Sequence, residues 1–427
     1  MKTLDNSHKH SLACGLDFGT SNSTLAVERA GQPTLMPVEG AHPTIPSAVF
    51  FGLEPQDAFL IGRAAMEAYI EGRQGRLMRS LKSILGSSLI DEKTAIYRRR
   101  IAFSDVIRLY IAELKARAEA HIGEGLDKVV LGRPVHFVDN DDEADLYAEN
   151  TLKDIAAETG FREISFQFEP VAAAFEFERQ IARECLVLIA DIGGGTSDFT
   201  VVRLSPDRHR AADRGADLLA NDGLRLGGTD YDRYLSMAAF MPALGHRSLQ
   251  KRGDIEIPAG PFWDLSTWAS VNHLYDPKRL TEIKSIRYTA QKPELIDRLL
   301  RIVEGRTGHS VLIEVEAAKI ELSRRETHRS DLGWIEPGLE VHATRMEFEL
   351  ATARLYDRLK TTALACVKSA GVEIGDISAV FFTGGTSQLP SVRRAIASHF
   401  PDAEIVDRDH FGSVGLGLAI EAKRRYG

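Results

Sequence analysis

Two short stretches of this chain carry the residue types that hold phosphate. Residues 15–27 read Gly-Leu-Asp-Phe-Gly-Thr-Ser-Asn-Ser-Thr-Leu-Ala-Val, and residues 191–202 read Asp-Ile-Gly-Gly-Gly-Thr-Ser-Asp-Phe-Thr-Val-Val. With a two-glycine insertion in the second they superimpose: Asp, apolar, Gly, Thr, Ser, Asn or Asp, then an alternating strand. Glycine lets backbone N–H groups close on an anion. The hydroxyls of Thr20, Ser21 and Thr196 add donors, and Asp17 and Asp191 can hold a hydrated metal ion. Gly19, Thr20, Ser21 and Asn22 thus form one candidate phosphate loop; Gly193, Gly194, Gly195 and Thr196, with Asp198 behind them, form the other. A single Asp-x-Gly-Thr is a common surface hairpin. Two matched copies, each behind an apolar strand, imply two similar lobes gripping one polyphosphate from opposite sides. A third element, Phe381 to Ser387, runs a strand into Gly384-Gly385-Thr386, a turn under which a nucleoside can pass, with the following helix start favouring anions.

These loops need rigid elements behind them. Residues 12–28 read as the first hairpin, 46–52 as a strand, and 61–71 and 76–84 as helices. Ser104 is a candidate N-cap for a helix to about Ala120, with Gly123 beyond its end. Lys128 to Val138 reads as a strand interrupted at Pro134. Asp141 or Asp142 caps a helix that Gly160 ends, and Ile164 to Phe168 is a strand leading into Glu169-Pro170 and an Ala-rich helix. The second half opens with a hairpin from Cys185 to Leu204, then a polar turn, then a helix from Leu226-Gly227-Gly228. Residues 241–275 read as irregular. Val311 to Leu322 and 345–370 read as helices, Ala379 to Phe382 as a strand, and Pro390 as a helix start. Strands alternating with helices in two halves predict an α/β fold.

The 427 residues are too many for one simple core. A net charge of −8 argues against nucleic acid as partner, and the runs Arg98 to Arg100 and Lys423 to Arg425 read as solvated surface. Cys14, Cys185 and Cys366 form no Cys-x-x-Cys pair, which fits a reducing cytoplasm; Cys14 and Cys185 lie in the apolar strands before the loops and read as buried small hydrophobes. Met1 to Ser11 has no apolar signal region, and stretches such as Leu186 to Ala190 are too short to span a bilayer. No membrane is expected as a partner.

Taken in order, these elements resemble the actin-like ATPase superfamily, and within it the nucleotide-binding domain of the DnaK-type heat shock protein 70 family. Further segments carry the resemblance: Leu81-Lys82-Ser83-Ile84-Leu85-Gly86, Gly132-Arg133-Pro134-Val135, Glu169-Pro170-Val171-Ala172-Ala173-Ala174, Leu226 to Asp232, and Glu316, Lys319 and Ser323 on one helix face. The resemblance implies an actin-like ATPase fold of two lobes, each with a ribonuclease-H-like core. They are expected at residues 1–183, with an inserted subdomain at about 36–103, and 184–427, with one at about 226–310. It implies ATP or ADP with Mg2+, K+ being a further candidate ion. Lys82 would orient the attacking water beside the γ-phosphate, Asp191 or Asp198 would take its proton, and Thr196 would join Lys82, Glu169 and Asp191 as a catalytic group. Asp17, Asp191 and Glu169 would hold the metal mainly through water. Gly228, Glu316, Lys319, Ser323, Gly384, Gly385, Thr386 and Gln388 would bind the nucleoside.

The chain departs from the family in four places. Gln388 stands where the family stacks an arginine on adenine, and Ile320 replaces a second basic residue. The stretch Asp139-Asn140-Asp141-Asp142-Glu143 is acidic where the family has an arginine linked to interlobe signalling. The sequence stops at Gly427, soon after the motif Asp409 to Leu418, so no peptide-binding domain in cis is expected, as in the stand-alone YegD-type bacterial relatives. Residues 241–310 have no clear counterpart. The functional expectation is an ATPase switch read by a protein partner, which the sequence does not identify. The alternatives are a sugar-type kinase of the same superfamily and a non-hydrolysing, ATP-braced scaffold.

Overall fold

A computed structural model describes residues 12–53, 59–96, 99–138, 141–208, 211, 214–268, 270–406 and 412–427. Met1 to Ser11, Arg98, Asp139, Asn140 and Asp409 lie outside the described residues.

The chain begins with the hairpin β1 (Leu12–Phe18) and β2 (Asn22–Arg29), extended by β3 (Gln32–Leu35) and the two-residue β4 (Ile45–Pro46). A small sheet follows: β5 (Ala48–Gly52), β6 (Leu60–Ile61) and, after α1 (Gly62–Ile70), β7 (Gly75–Arg79), ordered β6-β5-β7. The ribbon β8 (Lys93–Ile96) and β9 (Arg99–Ala102) precedes α2 (Phe103–Ile122), β10 (Leu126–Arg133), α3 (Asp142–Glu158), β11 (Glu163–Phe168) and α4 (Glu169–Glu178). The second half repeats the plan with the hairpin β12 (Cys185–Ile192) and β13 (Ser197–Leu204), then β14 (Leu218–Leu224) and α5 (Gly228–Leu235). Helices α6 (Gly260–Leu265), α7 (Pro277–Thr289), α8 (Pro293–Glu304) and α9 (Gly308–Arg324) come next. The ribbon β15 (Thr327–Asp331) and β16 (Glu340–Thr344), α10 (Arg345–Ala351), α11 (Ala353–Ser369), β17 (Ile377–Thr383), α12 (Pro390–Ala397), β18 (Glu404–Val406) and α13 (Ser413–Tyr426) complete the chain.

The two main sheets share one topology. The first runs β11-β10-β1-β2-β3 and the second β18-β17-β12-β13-β14; in both, a central antiparallel hairpin is flanked by two parallel strands on one side and one antiparallel strand on the other. The alternation of side chains along the strands shares them between two cores. Val129 and Leu131 point into the first half's core with α2, and Leu188, Ala190 and Ile192 into the second half's. Val130, Val187 and Ile189 face a third core between the sheets, filled by α4 and the C-terminal α13. Gly417 lets α13 lie against the α4 backbone, because a Cβ there would collide with the Ala172 carbonyl.

Four expectations about elements are corrected. Residues 76–84 are not helical: β7 pairs along β5, and Leu81–Ile84 is a single 3-10 turn entered through Ser80 at φ 57°. Pairing with a neighbouring strand overrides local propensity there. The helix over 345–370 breaks at Thr352, whose hydroxyl donates to the Phe348 carbonyl at 2.7 Å. The polar turn after Leu204 contains β14, an edge strand whose half-exposed residues carry no clean alternation. The cap of α2 is Ala102 rather than Ser104. By contrast Asp141 does cap α3, accepting from the Ala144 N–H at 3.0 Å. Cys14 is buried as expected, whereas Cys185 is only partly covered; all three cysteines are free. Among the described residues no helix is long and apolar enough to cross a membrane.

Candidate functional site

A cleft of about 1940 Å³ opens between the two sheets, and every candidate site residue named from the sequence lines it. Strands β1 and β12 deliver Asp17 and Asp191 to equivalent places: Asp17 pairs with Thr24 across the first hairpin and Asp191 with Asp198 across the second. The turns beyond them are pinned by the protein. Ser47 donates its hydroxyl to the Gly19 carbonyl at 2.6 Å and its N–H to the Ser21 carbonyl at 2.8 Å. In the second loop, Gly228 N–H and the Thr386 hydroxyl both donate to the Gly193 carbonyl, at 2.9 and 2.8 Å, and Thr229 N–H donates to that of Gly194 at 2.8 Å. The two loops meet: a Cβ on Gly194 would strike the Ser21 hydroxyl. Gly384 must also be glycine, since it sits at φ 78° and a Cβ would come within 2.6 Å of the Asp191 carboxylate.

Lys82, on the 3-10 turn, and Glu169, at the start of α4, form an ion pair of 2.5 Å with side chains only 9% and 13% exposed. Burial raises the Asp17 carboxyl to about 7, with Glu169 adding to the rise and Lys82 opposing it. Burial likewise raises Asp191 to about 8, helped by Asp198, Glu169 and Asp17. Burial alone would lower Lys82, but Glu169, Asp17 and Asp191 hold it above its ordinary value. Several carboxyl groups therefore share one lysine at the cleft floor, and their ionised forms are disfavoured there without a further cation. A divalent cation would stabilise those ionised forms. Among the described residues no three His, Cys, Asp or Glu side chains group closely enough to ligate a metal directly. The donor set fits a magnesium ion that keeps its water and is held from its second shell.

The wall expected to take a nucleoside is less open than the sequence implies. Glu316, Lys319 and Ser323 do share one face of α9, but Lys319 pairs with Asp232 at 2.8 Å and the Ser323 hydroxyl donates to the Ile320 carbonyl at 2.6 Å. Glu316 lies 4.0 Å from Arg79.

The mouth of the cleft holds residues that sequence reasoning missed. Tyr69 on α1 hydrogen-bonds His309 Nδ1 on α9, with ring centroids 4.7 Å apart. Arg79, at the end of β7, lies 4.6 Å over the Trp268 ring, and Trp268 is 5.2 Å from His309. These contacts bridge the two halves directly. The Tyr69 and His309 partners are 240 residues apart, so no local pattern announces them.

A family model described as Hsp70 protein matches residues 13–108, 99–243 and 303–424. The gap between the last two segments falls within residues 241–310, the stretch without a clear counterpart in the family pattern. Among curated proteins the chain is 26% identical over 434 residues to a chaperone protein HscA homolog of Laribacter hongkongensis, and 25% identical over 431 residues to one of Bordetella petrii. It is 26% identical over 440 residues to the chaperone protein HscA of Salmonella typhimurium. Each alignment covers 97% of this chain and 58% of the relative's length.

Proposed function

As the chain belongs to the Hsp70 family, we propose that it binds Mg·ATP in the cleft between its halves and hydrolyses it slowly, the cycle opening and closing the cleft as a chaperone-like switch. The observation that carries this reading is the convergence of both phosphate loops, the Lys82–Glu169 pair and the buried Asp17 and Asp191 on one cleft floor. Pure binding needs no such set of titrating groups around a buried lysine, whereas phosphoryl transfer needs positioning and charge neutralisation.

The residues divide the task. The amides and hydroxyls of Gly19, Thr20, Ser21, Asn22, Gly193, Gly194, Gly195 and Thr196 hold the phosphates. Asp17, Glu169 and Asp191 would hold a magnesium ion mainly through its water, and the ion would supply charge neutralisation to the transferring phosphoryl group. Lys82 orients the attacking water, and Asp191 or Asp198, paired across the second hairpin, accepts the proton it releases. Gly228, Gly384, Gly385, Thr386 and Gln388 receive the nucleoside beside α9. The lobes divide near residues 183 and 184, with α13 packed back on the first sheet. The Tyr69–His309 and Arg79–Trp268 contacts hold the mouth shut, which supports the opening and closing part of the reading.

The test is phosphate release from Mg·ATP by wild type and Asp191→Ala, with and without a panel of sugars. Release without sugar that Asp191→Ala abolishes is expected. Release only with a sugar would move the protein to the kinases of the same superfamily. Retained ATP binding without turnover would make it a scaffold braced by nucleotide.

A further inference from the structure

We propose that Arg225 supplies a guanidinium to the terminal phosphoryl group during hydrolysis, an arginine delivered from the same chain to the second phosphate loop. This rests on the ATPase reading above.

The residues on either side of Arg225 are fastened to that loop. Leu224 pairs with Ser197 in the β13–β14 ladder, and the Ser197 hydroxyl donates to the Leu226 carbonyl at 2.6 Å. Gly227 packs on the Gly194–Gly195 backbone, where a Cβ would come within 2.6 Å of the Gly194 carbonyl carbon. Gly228 N–H and Thr229 N–H then bond the Gly193 and Gly194 carbonyls. The backbone of Arg225 is therefore fixed within a side chain's reach of Gly195 and Thr196. Its side chain lines the cleft, is exposed, and makes no ion pair or hydrogen bond among the described residues.

The two lysines lining the site are committed elsewhere, Lys82 to Glu169 and Lys319 to Asp232. The cleft floor carries Asp17, Glu169, Asp191 and Asp198 before any phosphate enters. In hydrolysis a water oxygen bonds to the γ-phosphorus while the bridging Pγ–O bond breaks. The electron pair of that bond goes to ADP, and the water's proton goes to a carboxylate and then to solvent. Charge spreads over the equatorial γ-oxygens as this happens, and a planar guanidinium matches those oxygens in a way that a lysine does not. Leu226 and Gly227 are buried and fix the backbone, so the exposed Arg225 side chain can turn toward the loop by changing rotamer while the backbone stays in place.

The experiment compares Arg225→Ala and Arg225→Lys with wild type in three readouts: ADP affinity, trapping of Mg·ADP by aluminium fluoride, and single-turnover phosphate release. Because Arg225 is exposed, both variants are expected to keep the wild-type melting temperature. Arg225→Ala should leave ADP affinity within about twofold, shorten the life of the trapped complex at least tenfold, and slow phosphate release on the order of a hundredfold or more. Arg225→Lys should restore only part of the rate. An Arg225→Ala protein that traps and hydrolyses like wild type overturns the inference, as does equal loss of ADP and ATP binding, which would make Arg225 a general anchor. If wild type itself releases no phosphate, the ATPase reading fails and this inference with it.

Discussion

Tyr69→Phe is the substitution that isolates the closure of the cleft. It removes one hydroxyl from the α1–α9 contact and leaves the ring edge against His309. His309 is 7% exposed, so its Nδ1 then lacks a partner in a nearly dry site. Leaving such a group unpaired costs about 1–3 kcal/mol. The cost falls on the closed cleft alone, since an open one lets water reach the ring. At about 1.4 kcal/mol per factor of ten, release of bound ADP should quicken roughly tenfold. Stopped-flow release of fluorescent ADP, chased with excess ATP, reads this directly. The same contact gives a pH dependence with a definite sign. Burial, with Arg79 nearby, lowers His309 from an ordinary 6.5 to about 4, so the closed state holds it neutral. The groups facing it are the Tyr69 hydroxyl, the Arg79 guanidinium and the Trp268 ring. An open, hydrated His309 binds a proton below about 6.5, so closure is fully favoured above that pH and weakens as pH falls toward 4. ADP release from wild type should therefore accelerate between pH 7 and 5, by up to about twentyfold, and His309→Gln should flatten the profile. A Tyr69→Phe protein that releases ADP at the wild-type rate, with a wild-type melting temperature, would refute the reasoning.

The remaining predictions concern a buried ion pair behind α4 and the wall proposed for the nucleoside. Glu178 on α4 and Arg214 form a fully buried pair at 2.7 Å, which Asp217 completes from the far side. Glu178→Ala leaves the buried guanidinium with Asp217 alone and both Nη groups without their Glu178 partner, and should lower stability by about 3 kcal/mol in urea unfolding; a loss under 1 kcal/mol would contradict that burial. Gln388→Arg should tighten ATP binding by up to roughly thirtyfold, since a stacked guanidinium contributes up to about 2 kcal/mol. Unchanged affinity in calorimetry would show that the base does not lie against this position.

Much of the site was legible because its chemistry is local. Asp17 to Asn22 and Asp191 to Asp198 announce themselves by type and spacing, and Glu316, Lys319 and Ser323 by helical periodicity. The duplicated topology follows from the doubled hairpin once the parallel strands are added. What stayed hidden depends on partners distant in sequence. Residues 75–79 are a strand because β5 pairs with them, and only glycine fits at position 75 because the Phe50 ring fills the space a Cβ would take. β14 is an edge strand without an apolar rhythm, so Arg225, just past its end, drew no notice. Thr352 breaks its helix with a hydroxyl that reads, from sequence, as ordinary helix surface. Lys319 and Ser323 were expected to face a nucleoside, but each already has a partner within the protein, which periodicity does not reveal.

The central claim is that the cleft hydrolyses the nucleotide it binds, with Lys82 as a group that acts in the transition state. The direct measurement is single-turnover phosphate release from Mg·ATP by wild type and Lys82→Ala, with ATP affinity determined on the same samples. Wild type is expected to release phosphate slowly, and Lys82→Ala to bind ATP still but to release phosphate on the order of a hundredfold more slowly. Equal release rates at equal occupancy, or no release from a wild type saturated with Mg·ATP, would contradict it.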